Sequence, residues 1–135
     1  GLGIPAEPLF RSSILLQVDF IKAFRELCGP QWQILAETSL NVPFEKVQTV
    51  DPILDGYIVD IKDMNPEIYK VYTGKDNSMV LANLEWLLKQ GDPNRIKVRV
   101  PHIPDFNTVE DVVKSIERLK AMGVENIDEF NYIIR

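Results

Sequence analysis

Tyr57-Ile58-Val59-Asp60-Ile61-Lys62 carries two kinds of side chain in strict alternation. Side chains point to opposite faces along a β-strand, so Tyr57, Val59 and Ile61 form one apolar row, while Asp60 and Lys62 share the other with Ile58. The stretch from Arg95 to Val100 repeats the arrangement: Ile96, Val98 and Val100 on one row, Arg95, Lys97 and Arg99 on the other. A run near the C-terminus divides the same way, with Phe130, Tyr132 and Ile134 set against Glu129 and Asn131.

Outward from these strands, segments with an apolar period near 3.6 alternate with short β-branched or aromatic runs, the pattern of βα units around a parallel sheet. Four strands are expected, at about Gln33–Thr38, Tyr57–Lys62, Ile96–Ile103 and Asn126–Ile134. A helix over Asp19–Cys28 stops at Gly29-Pro30, and a helical stretch near Phe44–Leu54 leads into the second strand. Asn65 caps a short helix with Pro66 in its first turn, Glu67 on its positive end and Gly74 at its close. Ser78 is read as the cap of a longer helix, with Leu81, Leu84, Leu87 and Leu88 on one face and Gly91 beyond it. Thr108 and Asp111 form a capping box for a last helix with an apolar stripe of Val109, Val112, Val113, Ile116 and Leu119, closed by Gly123. Residues 1–135 read as one domain, and residues 1–17 are the least legible part.

In a sheet coated by helices the apolar rows face the helices and the charged rows face inward. A closed eight-stranded barrel fills its interior with branched side chains, so a charged interior implies a wider barrel around a solvated ligand. Glu37, Asp60, Lys62, Arg99 and Asn131 lie toward the C-terminal ends of their strands, where barrel active sites are assembled. The competing reading makes Asp60 with Lys62, and Glu37 with Arg99, plain ion pairs. Agreement among four strands argues for use, because burying charge costs several kcal/mol per ion.

Composition sets bounds on function. The 135 residues are 45% hydrophobic and 26% charged, the balance of a globular domain. No stretch approaches the roughly 18 consecutive apolar residues of a membrane span, so the expected setting is the cytoplasm. A net charge of −5 argues against a nucleic-acid surface. The single cysteine, Cys28, reads as a buried structural thiol and cannot alone hold a cluster or zinc ion. His102 has no cysteine or carboxylate at ligand spacing and reads as structural, and Trp32 and Trp86 read as packing residues.

The run Val59-Asp60-Ile61-Lys62-Asp63-Met64-Asn65-Pro66-Glu67 closely resembles the glycyl-radical-enzyme activating enzymes of the radical S-adenosylmethionine superfamily. Glu37-Thr38-Ser39, Tyr72-Thr73-Gly74 with Asn77, Val80-Leu81-Ala82-Asn83-Leu84, and Arg99-Val100-Pro101 with Ile103-Pro104 and Asn107 extend the resemblance in order, over roughly Leu16 to Arg135. It implies an incomplete (β/α) TIM-like barrel, and an enzyme that cleaves S-adenosylmethionine on a reduced 4Fe-4S cluster and abstracts hydrogen from a glycine of a partner, the glycyl-radical enzyme. It further implies that Lys62 and Asp60 contact S-adenosylmethionine, with Arg99 in a polar cradle and Glu7 and Asn131 as further contacts. Asp60, Glu37 and the Thr38 backbone would serve a monovalent cation, with the Ile58 carbonyl beside them.

The departures are equally specific. The C-x-x-x-C-x-x-C cluster motif is absent, so the chain is expected to be inactive alone and unable to bind the usual cluster. The G-G-E-P motif appears as Pro5-Ala6-Glu7-Pro8, Asp105 stands where the family often has Gly, and Asn131-Tyr132-Ile133 replaces P-Y-H. Two alternatives stay open: a barrel enzyme in which Lys62 forms a Schiff base, and a non-catalytic interaction module. An edge left open beside the first strand would favour self-association unless the N-terminal segment folds over it.

Overall fold

The computed structural model describes residues 9, 10 and 12–131. Five parallel strands, β1 (Leu9–Phe10), β2 (Leu35–Thr38), β3 (Gly56–Asp60), β4 (Ile96–His102) and β5 (Asn126–Asn131), lie side by side in chain order. The helices between them are α1 (Val18–Cys28), α2 (Phe44–Val50), α3 (Pro66–Thr73), α4 (Ser78–Leu88) and α5 (Val109–Met122). The four expected strands are all present, in sequential order, with shorter ends: β2 starts at Leu35 and β3 stops at Asp60. The described part of the last strand ends at Asn131, and residues 132–135 lie outside the described residues.

The unforeseen element is β1. Leu9 and Phe10 pair with Leu35 and Ala36, so the N-terminal segment covers the first half of the edge that the sequence had left open. Two residues give too little periodicity to be read as a strand.

The helix-facing rows make the core. Tyr57, Val59 and Ile61 are buried, as are Ile96, Val98 and Val100, and they pack with Val80, Leu84, Leu87 and Leu119 from the helices. Each such side chain stabilises the fold by roughly 1.5–3 kcal/mol relative to exposure. At Gly56 the strands come so close that a Cβ would sit 2.7 Å from the Arg95 carbonyl oxygen and 2.8 Å from Leu35 Cδ2, so glycine is required there.

Local signals decide most helix ends. Asn65 accepts hydrogen bonds from the Glu67 and Ile68 N–H groups, and Gly74 closes α3 in the left-handed region at φ 78°. Thr108 and Asp111 form the expected reciprocal capping box, and Gly123 ends α5 at φ 107°. Three expectations need correction. Ser78 is the first residue of α4 rather than its cap, and Asp76 Oδ1 instead accepts from both the Ser78 N–H and hydroxyl. Val109 and Val113 are 65% and 45% exposed, because the buried face of α5 runs through Val112, Ser115 and Leu119. Cys28 is only half-buried and its neighbour Leu27 is exposed, since Ile21 carries the buried face of α1.

Candidate functional site

Strand register sets which side chains share the inner face. Glu37 lies opposite Ile58, which lies opposite Lys97; one pleat further, Asp60, Arg99 and Asp128 stand in line across three strands. Lys62 follows two residues beyond Asp60, in the loop that continues β3. The Ile61 N–H donates to the Arg99 carbonyl at 3.0 Å, which carries the sheet geometry one residue into that loop.

Of these residues Glu37, Asp60 and Lys62 line a cavity of about 500 Å³ at the C-terminal ends of β2 and β3, together with Thr38 and Tyr69 among others. Lys62 Nζ is 2.8 Å from Asp60 Oδ2, with both side chains about three-quarters buried. The second oxygen, Asp60 Oδ1, is buried without a hydrogen-bond partner among the described residues. A buried acceptor left unpaired costs on the order of 1–3 kcal/mol, more when charged, so this corner can accept a group that supplies a donor or a positive charge.

Arg99 stands beside that pair. Its Nη1 is 4.0 Å from Glu37 Oε1 and its Nε 3.6 Å from Asp128 Oδ2, while its guanidinium lies 4.2 Å from the Phe130 ring centroid. The face of an aromatic ring attracts a cation, and two loose carboxylate contacts leave the planar group held but not saturated.

Here the structure corrects the reading of the last strand. Phe130 is in register with Pro101 and shares the row of Arg99, whereas Asn131 is in register with His102. The apolar-outward rule misassigned β5 because its inward aromatic serves as a platform for Arg99; Ile127, paired with Val98, was the apolar residue that marked the outer row. His102 belongs to that row too, away from Lys62. Glu7 lies outside the described residues. Thr38 is buried on the helix side, where its hydroxyl accepts from the Leu40 N–H, so only its backbone and its place at the strand end are offered to the cavity.

Tyr69 and Asn41 were missed from the sequence. Asn41 Nδ2 donates to the Tyr69 hydroxyl at 3.2 Å, and both line the cavity with Thr73, one helical turn beyond Tyr69. Burial pushes the Tyr69 hydroxyl above its ordinary range, opposed by the Asn41 hydrogen bond and by the Lys62 charge. The available signal was the i, i+4 spacing of Tyr69 and Thr73 on a helix that starts just after Lys62. Asp105, standing where the resembled family often has glycine, has φ 73°, a left-handed conformation that aspartate tolerates better than most side chains.

A parallel βα sheet with charged C-terminal strand ends around a cavity defines an incomplete (β/α) barrel with a polar cradle. No protein-family model matches the chain. Relatives do. It is 42% identical over 94 residues to the (2S)-3-sulfopropanediol dehydratase activating enzyme of Klebsiella oxytoca, covering 69% of this chain and 29% of that protein. It is 31% identical over 126 residues to the pyruvate formate-lyase-activating enzyme of Streptococcus mutans, covering 87% of this chain and 46% of the relative. A solved domain of pyruvate-formate lyase-activating enzyme from Bacteroides vulgatus has the same fold, with a TM-score of 0.62 over 90% of this chain and 97% of that one, at 15% identity. Over most of its length the chain is therefore a homologue of the glycyl-radical-enzyme activating enzymes of the radical S-adenosylmethionine superfamily, and it spans less than half the length of these two curated relatives.

Proposed function

We propose that this chain is part of a cytoplasmic activating enzyme that generates a glycyl radical on a partner enzyme, and that it supplies one wall of the S-adenosylmethionine site. The observation that carries this reading is the Asp60–Lys62 pair, with its unpartnered buried oxygen, on a cavity at the strand ends. S-adenosylmethionine presents a carboxylate, an ammonium and a sulfonium. Lys62 suits the first, and the carboxylates of Asp60 and Glu37 suit the two cations or a monovalent metal ion beside them. Arg99 on its Phe130 platform adds a positive charge beside the wall, 4.0 Å from Glu37.

When bound to a reduced 4Fe-4S cluster, S-adenosylmethionine would supply the 5′-deoxyadenosyl radical chemistry. The sequence contains one cysteine, so the cluster ligands are proposed to come from outside these 135 residues. This chain's own contribution is to bind and orient. Glu7 and Asn131 remain proposed contacts. A Schiff-base role for Lys62 would need a neutral amine, whereas the 2.8 Å contact with Asp60 is the kind an ammonium makes.

The test is a titration of S-adenosylmethionine into the complete, cluster-reconstituted enzyme and its Lys62→Ala variant. A charge-assisted hydrogen bond contributes on the order of 1.5–3 kcal/mol, so binding should weaken roughly tenfold to a hundredfold while the cluster spectrum stays unchanged. Lys62→Arg should restore only part of the loss, because a planar fork does not replace a compact ammonium. Unchanged affinity in Lys62→Ala would remove Lys62 from the site.

A further inference from the structure

Behind the cavity, on the far side of the loop that bears Lys62, lies a polar cluster around a buried carboxylate that makes no ion pair among the described residues. Asp63 is 1% exposed. Its Oδ1 accepts from the Asn65 N–H at 2.9 Å and the Ser115 hydroxyl at 3.3 Å, and its Oδ2 accepts from Asn107 Nδ2 at 3.1 Å. The Ser115 hydroxyl in turn accepts from the Met64 N–H at 3.0 Å. A carboxylate held by three neutral donors is a costly way to stabilise a fold, since burial of an ion without a counter-charge is offset only by its hydrogen bonds.

Asn107 is the joint of the cluster. It is 6% exposed, and its amide nitrogen also reaches the Pro101 carbonyl at 3.1 Å and the Lys62 carbonyl at 3.4 Å, while its amide oxygen accepts from the Ile103 N–H at 2.7 Å. One side chain thus ties the end of β4, two residues past Arg99, to the main chain of Lys62 and the side chain of the next residue. β3 stops at Asp60, so beyond the Ile61–Arg99 hydrogen bond no strand pairing sets the distance between these two segments.

We infer that Asn107, backed by Asp63 and Ser115, is a positioning residue that fixes Lys62 relative to Arg99 and so sets the spacing between the cation on the cavity wall and the one beside it on the inner face of the sheet. The inference rests on the proposed function only in assigning that wall to S-adenosylmethionine; the positioning itself is a property of the chain. An amide suits the task because it donates and accepts at once, and neither aspartate nor leucine of similar size reproduces both.

The test uses the 135-residue chain with isotope-labelled lysine and arginine side chains, read by NMR, the Lys62 and Arg99 signals being assigned from Lys62→Arg and Arg99→Lys. Asn107→Ala should move both signals toward the values of free side chains. Arg95→Ala, at the opposite end of the sheet, should destabilise the fold at least as much and leave both signals in place. A destabilised Asn107→Ala with unmoved Lys62 and Arg99 signals would overturn the inference. Should Asn107→Ala fail to fold, Ser115→Ala removes only a hydroxyl and should shift the Lys62 signal less but in the same direction; no shift there would overturn it equally. Titration with S-adenosylmethionine is the separate arm. Binding that weakens roughly two- to tenfold in Asn107→Ala, the worth of one neutral hydrogen bond, supports both readings. A cofactor that leaves the wild-type signals untouched counts against the assignment of the ligand, while the variant signals still decide the positioning.

Discussion

The two ends of the sheet hold cavities of nearly the same size, about 500 Å³ at the C-terminal ends of the strands and about 520 Å³ at the N-terminal ends, so volume does not distinguish them. Their polar chemistry does. At the N-terminal end Asp51 Oδ1 accepts from the Tyr57 hydroxyl at 2.8 Å and from Arg95 Nη2 at 2.6 Å. Nearby, Arg25 spends its guanidinium on the Ile53 and Trp32 carbonyls and on Asp55, whose carboxylate also takes the Ile34 N–H. These contacts join the segments that enter β2, β3 and β4. The atom left over there among the described residues is a donor, Arg95 Nε, on a guanidinium packed 5.5 Å from the centre of the Tyr57 ring. At the C-terminal end the atoms left over among the described residues are acceptors, Asn83 Oδ1 and Asp60 Oδ1, the second beside a lysine on an open cavity. One end spends its charges on itself, and the other leaves a carboxylate oxygen unpaired among the described residues, which is where the proposed ligand would bind. Sites that bind are assembled at a cost in stability, and substitution at the two ends should reveal this as effects of opposite sign.

Arg95→Ala should give the largest loss. It leaves Asp51 with only the Tyr57 hydroxyl, and breaking one side of a largely buried ion pair costs roughly 3–5 kcal/mol, to be read from urea unfolding. A loss below about 1 kcal/mol would break the contrast at its structural end.

Asn83→Ala should follow. Asn83 is 1% exposed and its Nδ2 donates to the Leu40 and Val42 carbonyls, holding the loop in which Leu40 adopts φ 60°. Removing the amide takes this donor from the Val42 carbonyl and leaves the Leu40 carbonyl with the Val42 N–H, a loss of roughly 1–3 kcal/mol, with faster amide exchange confined to residues near Asn41.

Tyr57→Phe should cost about 1 kcal/mol at neutral pH and alter the alkaline limb of the stability curve. Burial first, and Asp51 second, push the Tyr57 hydroxyl well above its ordinary value of 10.0. A group raised on folding contributes fully below its unfolded pKa, and the contribution is lost as pH rises through the folded one. Wild-type stability should therefore fall as pH climbs above about 10, and the fall should be shallower in Tyr57→Phe. Melting temperatures recorded across that range check the sign.

Asp60→Asn should give the smallest change, in the opposite direction. Neutralising a buried carboxylate with an unpartnered oxygen, at the expense of one ion pair, should leave the chain as stable as wild type or more stable by up to about 1 kcal/mol. A loss of 3 kcal/mol or more on denaturation would make the Asp60–Lys62 pair a structural clamp like that of Asp51 and Arg95, and erase the difference between the two ends.

The sequence by itself determined whatever depends on residues close together in the chain. Alternation along β3 and β4 separated the row that packs on helices from the row that bears Asp60, Lys62 and Arg99, and the caps at Asn65, Gly74, Thr108 and Gly123 marked helix ends within a few residues of where they fall. The tertiary structure alone decided whatever joins distant segments. Leu9–Phe10 becomes a strand only against Leu35 and Ala36, and β5 turns Phe130 inward because its register with β4 sets Phe130 beside Pro101 and its ring under Arg99. The partners of Asn83, and the Lys62 and Asp63 partners of Asn107, lie more than 40 residues away in the chain, so no local pattern records those contacts. Periodicity records which face of an element is apolar; it carries no record of which element that face or its opposite will meet.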